Sequence, residues 1–523
     1  MLTVRKRIYH RVLSLNGPPT QIGFRLQSRA FHGGLLVPFC CAPAAAVGFL
    51  PALQSPKSIN EGNGTTNTFV VDRNTEQRVS VRRKLVRALV SLIKAVEVLL
   101  RVARIGLLFS PVILSGWVTS VIQRSRVFPE ELSENLCDWW WGLLLNVLDL
   151  SGPTLVKAAQ WASTRQDMFP KELCARLARI HTFTRRTHIR VAEDALDQAF
   201  GSSWRRFFAL QDEQLGSGCV ASVFKGHMIA GKNAGKQIAV KVLHRDVKRA
   251  IRLDLAFMQG AAKAAEMLPF VRWEWLSLGE SVDEFASLME MQMDLSREAV
   301  NLERFIQDFE DNPAVVFPRP LYPWVSDNVL VEDFLDGKPI SNFFPSKKLA
   351  EMGLQAFLRM LFVTNFVHGD LHPGNLMVRE KENGEPCLQF LDAGIVCELD
   401  GDDRQNFWDL FYAVAVGDGK LAGSLMIERA RHHRCMDPEG FCEGVDDLVQ
   451  GARSRGLRLG QIQAGELLAR VSQLCLKHEV KLESKFARLL IAIAVLEGVG
   501  RSLDADCNIL GALTETMKSR ITK

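Results

Sequence analysis

The sequence predicts an α+β chain of two lobes, strand-rich over residues 207–338 and mainly helical over 339–523. A helical extension and a candidate membrane helix precede them. Three observations carry this expectation. After Phe207, apolar β-branched runs such as Ile238-Ala239-Val240-Lys241-Val242 follow a Gly-bearing turn, as strands do. Toward the C-terminus, amphipathic helical periodicity prevails, with Phe486–Val499 as a core helix. Residues Ile105 to Ile122 form eighteen consecutive uncharged positions, the lower limit for crossing a bilayer.

The 523 residues allow about three domain-sized units. Hydrophobic residues make up 47%, an apolar balance for a purely soluble enzyme that points to membrane contact. The net charge of +5 is mild and its excess sits at the N-terminus, which argues against a nucleic-acid partner. The 11 cysteines are odd in number and scattered without a CxxC pair, so no disulfide framework or zinc module is expected.

Residues 1–60 read as a mitochondrial targeting segment. No acidic residue precedes Glu61, and Arg5, Lys6, Arg7, Arg11, Arg25 and Arg29 interleave with apolar residues. A cleavage near Arg29–Gly34 is expected. A secretory signal fits less well, because Leu35–Leu53 starts too far in and is broken by Pro38, Pro43 and Pro51. A polar linker over 61–83 comes next. The segment 84–126 is the candidate membrane element, with Trp117 near one end and Arg101, Arg104, Arg124 and Arg126 outside the uncharged run. Pro111 within that run keeps a buried or interfacial amphipathic helix as the alternative to a span. Membrane association of some kind is the expectation.

Residues 127–206 read as a helical extension. Pro153 suits the first turn of a helix, which puts Lys157 and Gln160 three residues apart on one face. In the smaller lobe, Leu215-Gly216-Ser217-Gly218-Cys219-Val220-Ala221-Ser222-Val223 reads as a Gly-rich turn between strands. Gly216 and Gly218 would let backbone N–H groups approach a phosphate, with Leu215 and Val223 beside the nucleotide. Ala221 stands where a third glycine would complete the motif. Lys241 lies in a strand 18 positions beyond Val223 and could hold phosphates, with Glu298 as the helix carboxylate that fixes it. Asn328–Gly337 suits a hinge beside an adenine pocket.

The larger lobe carries His368-Gly369-Asp370-Leu371-His372-Pro373-Gly374-Asn375 and then Leu391-Asp392-Ala393-Gly394. An Asp, an Asn five positions on, and a later Asp before Gly match the phosphoryl-transfer spacing of protein kinases. Asp370 can orient an attacking hydroxyl and accept its proton. Asn375 and Asp392 offer hard oxygen ligands to Mg²⁺ on nucleotide phosphates. The order Gly loop, Lys, Glu, Asp, Asn, Asp makes the set specific. No Ala-Pro-Glu comes after it, so the usual platform for a peptide substrate is not expected. His432, His433, Cys435 and Cys442 fit no zinc spacing.

With those residues in hand, the chain resembles the UbiB family, the ADCK or aarF-domain atypical kinases, from about Ser151 onward. His368–Asn375 has the family's HGDLHPGN form, and Asp392-Ala393-Gly394 its version of DFG. Lys157-Ala158-Ala159-Gln160 is similar to the family's KxGQ motif, without its Gly. Gln292-Met293-Asp294 is similar to ExD, with Gln for Glu, which makes Asp294 the expected partner of Lys157. Gly216-Ser217-Gly218 replaces the Ala-rich loop of most members and looks more like an ordinary kinase's.

The resemblance implies a mitochondrial, membrane-associated enzyme that takes ATP or ADP with Mg²⁺. It also implies Lys157, Gln160 and Asp294 as a regulatory set over the site. Expected partners are a nucleotide, a membrane lipid of quinone-like character, and proteins of coenzyme Q biosynthesis. Two other readings stay open, a nucleotide-loaded scaffold of a lipid-biosynthetic complex and a protein Ser/Thr kinase.

Overall fold

The computed structural model describes residues 73–125, 129–180, 187–267, 278–343, 346–430, 433–454, 464–482 and 484–504, with Cys507 and Ala512. The expected targeting segment and most of the expected linker lie outside the described residues. The chain divides into two units, 1–78 and 79–523. Both lobes and the extension belong to the second.

The N-terminal helices are α1 (Arg73–Ser125), α2 (Glu130–Ser151), α3 (Pro153–Thr164), α4 (Lys171–Leu177) and α5 (Ile189–Phe200). Helix α2 folds back along α1. Trp140 Nε1 donates to Val112 O at 2.8 Å, and Arg101 donates to Ser151 O at 2.5 Å. One side of α1 is therefore buried, at Ile105 and Val112, while Leu107 (76% exposed), Leu114 and Trp117 (70% exposed) face outward. Within α1, Val96–Thr119 is long and apolar enough to cross a membrane. Its leading end is tied to the folded unit. Arg101 forms a bidentate pair with Asp254, which is 0% exposed, and Glu97 pairs with Arg249.

The smaller lobe is an antiparallel sheet in the order β1-β2-β3-β6-β5. Its strands are β1 (Phe208–Ser217), β2 (Ala221–Met228) and β3 (Gln237–Leu243), with β4 (Val315–Val316) outside it, then β5 (Pro320–Val325) and β6 (Val329–Asp333). Alternation decides its two faces. Ile238, Val240 and Val242 of β3 join Phe224, Met228, Val329 and Val331 in one apolar cluster, closed by Trp204 and Phe208. Ala239 and Lys241 consequently point the other way. Gly226 is needed where β1 and β2 close up, because a Cβ there would meet Ala209 O at 2.7 Å.

Between β3 and β4 stand three helices, α6 (Val247–Glu266), α7 (Leu278–Gln292) and α8 (Leu295–Asp308). Helix α8 starts at Asp294, whose carboxylate accepts from Ser296 N at 3.1 Å as an N-cap. Its stripe Leu295, Ala299, Leu302 and Phe305 is buried at helical spacing, and Glu298 shares that stripe.

The larger lobe holds β7 (Lys338–Pro339), α9 (Lys347–Arg359), β8 (Val367–His368), β9 (Leu376–Glu380), β10 (Pro386–Phe390) and β11 (Val396–Cys397). Helices α10 (Gly401–Val416), α11 (Gly419–Glu428), α12 (Pro438–Ser454), α13 (Ala464–Lys477) and α14 (Ser484–Leu503) complete it. One sheet runs β4-β10-β9-β7, and β8 pairs with β11. A single core crosses from α8 into this lobe. Phe317 stacks on Phe305 at 4.8 Å and on Phe390 at 5.2 Å.

The extension is locked down by one arginine. Arg165, with its side chain 3% exposed, pairs with Asp167 at 2.8 Å and Glu284 of α7 at 3.2 Å. It also donates to Leu482 O at 3.3 Å and lies over the Trp161 ring at 5.6 Å. Nearby, Lys481 donates to Ser281 Oγ at 3.1 Å. The end of α3, the start of α7 and the residues before α14 therefore meet at one buried polar junction.

Candidate active site

Five segments converge on the cleft between the lobes. The β1–β2 turn is closed by Gly218 N donating to Ala221 O at 2.8 Å, and by His244 Nε2 against Gly218 O at 3.0 Å. Leu215, Gly216 and Gly218 lie in or beside that turn. A Cβ at Gly216 would meet nothing within 4 Å, so its backbone stands open. Val223 is directly opposite Lys241 in the β2–β3 ladder and shares its face.

Lys241 Nζ lies 2.9 and 2.8 Å from the two Glu298 oxygens and 3.1 Å from Asp392 Oδ1. The structure thus joins three predicted residues that are far apart in sequence. Burial works against the ammonium, but Asp392 and Glu298 outweigh it and push its pKa up. Burial lifts Glu298 to about 7, with Asp392 adding to the rise and Lys241 opposing it. Burial also acts against the Asp392 carboxylate, whose side chain is 43% exposed, but Lys241 overcomes it and holds the group below the usual carboxylate range.

Asp392 sits at a φ of 52°, in the left-handed region that a side chain adopts at a cost. Gly394 N donates to Asp392 Oδ1 at 3.2 Å and holds that turn. On the other strand of the site, Asn375 Nδ2 donates to Asp370 O at 3.0 Å, and Leu391 N donates to Asn375 O at 2.9 Å. Asp370, Asn375 and Leu391, the residue before Asp392, are thereby one hydrogen-bonded unit. The Asn375 side-chain oxygen and the Asp392 carboxylate are hard donors, and the cluster around Lys241 carries more carboxylates than cations. That donor set and charge balance fit a divalent cation such as Mg²⁺.

Supporting residues surround this set, some inside the His368–Asn375 motif, as His368 and Gly369 are, and some with no signal in the sequence, as Asn301 and Arg304 are. His368 is fully buried. Its Nδ1 accepts from Asp370 N at 3.3 Å, which makes Nε2 the donor to Leu391 O at 3.0 Å. Burial keeps its pKa below the usual value. Asn301 of α8 donates to Ala393 O at 2.8 Å, and Arg304 pairs with both oxygens of Glu398 at 3.1 Å. On a helix read alone, both look like solvated polar residues. Gly369 is required where its backbone passes Ile395, whose Cγ2 would lie 2.8 Å from a Cβ.

The expected regulatory set is brought to the site only in part. Helix α3, with Lys157 and Gln160, packs Val156 and Ala159 in a cluster that Cys219 of the Gly-rich turn also contacts. The expected pairing of Lys157 with Asp294 is not made. Asp294 instead caps α8, accepting from Ser296 Oγ at 2.5 Å and lying 3.6 Å from Arg297. An Asp at an N-cap finds donors two and three residues on in its own helix, and these win over a side chain from another element.

Comparison with known proteins agrees with this geometry. The ABC1 atypical kinase-like domain matches residues 180–425, and the UbiB helical domain matches 451–508. An ABC1 family mitochondrial protein of Saccharomyces cerevisiae is 31% identical over 487 residues, covering 80% of this chain and 74% of that protein. The probable serine/threonine-protein kinase abkC of Dictyostelium discoideum is 31% identical over 503 residues, covering 82% and 70%. The probable protein kinase UbiB of Histophilus somni is 26% identical over 373 residues, covering 69% and 68%.

Proposed function

Because this chain belongs to the ABC1/UbiB atypical kinase family, we propose that it binds ATP or ADP with Mg²⁺ and hydrolyses ATP or transfers its phosphoryl group. The observation that carries the reading is Lys241 held between Glu298 and Asp392, beside the linked pair Asp370 and Asn375. Lys241 holds the phosphates. Asp370 orients the attacking hydroxyl or water and takes its proton. Asn375 and Asp392 hold Mg²⁺, which neutralises charge on the phosphates when bound. Lys157 and Gln160, on the helix that packs against the Gly-rich turn, restrict what reaches the cleft. The names of the relatives as probable protein kinases support phosphoryl transfer.

We further infer a mitochondrial, membrane-associated setting in support of coenzyme Q biosynthesis or lipid homeostasis. The acid-free basic N-terminus and the relatives named as mitochondrial support the compartment. The outward apolar face of α1, at Leu107, Leu114 and Trp117, supports lipid contact. Its tie to Asp254 favours a helix lying along the membrane surface over one leaving the folded unit behind.

A thermal-shift titration of the full chain tests the nucleotide site. Mg²⁺ with ATP or ADP at a hundred times Kd stabilises by about 2.7 kcal/mol. Asp392→Asn abolishes that shift. An undiminished shift in this variant, or none in folded wild-type protein, removes the assignment.

A further inference from the structure

One half-buried acid on the Lys241 face of the sheet has no part in that chemistry. Glu332 lies in β6 directly opposite Ala239 of β3, and Leu330 lies opposite Lys241. Paired residues share a face, so Glu332 stands on the side of the sheet that carries Lys241. Its neighbours Val329 and Val331 face the other way, into the apolar cluster. Along the strand, the pairs Ala239–Glu332 and Lys241–Leu330 are two residues apart, roughly 7 Å. That is the scale on which a nucleotide's base and first phosphates are separated.

Glu332 Oε2 is buried and has no hydrogen-bond partner. A buried acceptor without a donor is costly, and native folds rarely keep one without a use. Burial, and then the charge of Glu298, raises its pKa well above the usual value, with Lys241 opposing the rise. Glu332 lies within Asn328–Gly337, the segment expected to form the hinge. Ala239, facing Glu332, puts only a methyl group beside it and leaves room for a flat ring.

We propose that Glu332 reads the nucleobase: its side-chain oxygen accepts an N–H from the exocyclic amine at C6 of adenine, which a base with a carbonyl at C6 cannot supply. The missing donor is then the ligand's own. For the ionised acid, a hydrogen bond from the amine is worth about ten- to hundredfold in binding, and a C6 carbonyl would face a like charge. The protonated acid could instead donate to that carbonyl, so the preference is expected above the raised pKa of Glu332. This inference rests on the nucleotide reading above and adds the base preference to it.

The test is equilibrium binding of ATP and of inosine triphosphate, which differ at C6, to the full chain with Mg²⁺ at mildly alkaline pH. Wild-type protein prefers ATP by about tenfold or more. In Glu332→Gln, whose amide can donate or accept, the preference collapses because the inosine nucleotide gains. In Glu332→Met, which removes the polar group and also relieves the buried acceptor, it collapses because ATP loses. Equal wild-type affinity for the two nucleotides, or a preference that survives in either folded variant, overturns the assignment of Glu332 while leaving the nucleotide site intact. Binding of neither nucleotide by wild-type protein overturns both.

Discussion

Arg165→Met is the substitution with the largest stability effect expected outside the cleft. The guanidinium is almost fully buried between Asp167 and Glu284, and its hydrogen bonds reach Leu482, 317 residues away. Methionine keeps the volume against Trp161 but strands two carboxylates. Breaking a buried ion pair from one side costs about 3–5 kcal/mol. Lys481 moderates this. Burial and then Arg165 hold its pKa down, and Glu280 is 3.9 Å away, so with Arg165 gone it takes up part of the negative charge. The expected cost is therefore about 3 kcal/mol, at the lower end. The melting temperature of the full chain should fall by roughly 3 °C. Replacing Asp167 and Glu284 by leucine in the same protein should recover most of it, because the unpaired charges are then gone. A single variant that melts within about 1 °C of wild type refutes the claim that this junction holds the extension in place.

The same geometry sets three further outcomes. His368 is neutral in the fold with Nδ1 as an acceptor, and its pKa is depressed, so the unfolded chain binds the extra proton first. Stability therefore declines as pH falls through about 6.5, and a melting series across that range should be flatter in His368→Gln. Gly226→Ala places a methyl 2.7 Å from Ala209 O, which backbone alone must absorb; a loss of about 1–3 kcal/mol in urea unfolding is expected, and a neutral result would contradict the β1–β2 register. Asn301→Ala frees the Ala393 carbonyl but leaves α8 packed. It should lower nucleotide turnover about tenfold or more while shifting the melting temperature little, and the reverse pattern would make Asn301 a structural residue only.

The parts of the site that are legible in the sequence are those whose spacing is set by chemistry. Asp370 and Asn375 sit in one short turn, and Asp392 comes after an apolar strand, so their order alone carries the geometry. Lys241 and Glu298 are legible only as members of an ordered set, because the 57 positions that separate them take in the α6–α7 hairpin, which no motif marks. Arg304, Asn301 and Glu332 are silent. Each is a common polar residue on an ordinary helix or strand, and its importance lies in what the fold places opposite it. Asp294 shows the converse. Its motif position stands out in the sequence, but the local N-cap competes for the same carboxylate and prevails.

The bonds from α8 to the segment after Asp392 have a consequence for control. Asn301 grips Ala393 and Arg304 grips Glu398, while Glu298 on the same helix grips Lys241. A swing of this helix would break all three at once, together with the aromatic contact of Arg304 on Phe366. On and off states that differ by such a swing are thus separated by several simultaneous losses and no graded path. A helix held in this way keeps Lys241, Ala393 and Glu398 in register as one rigid body.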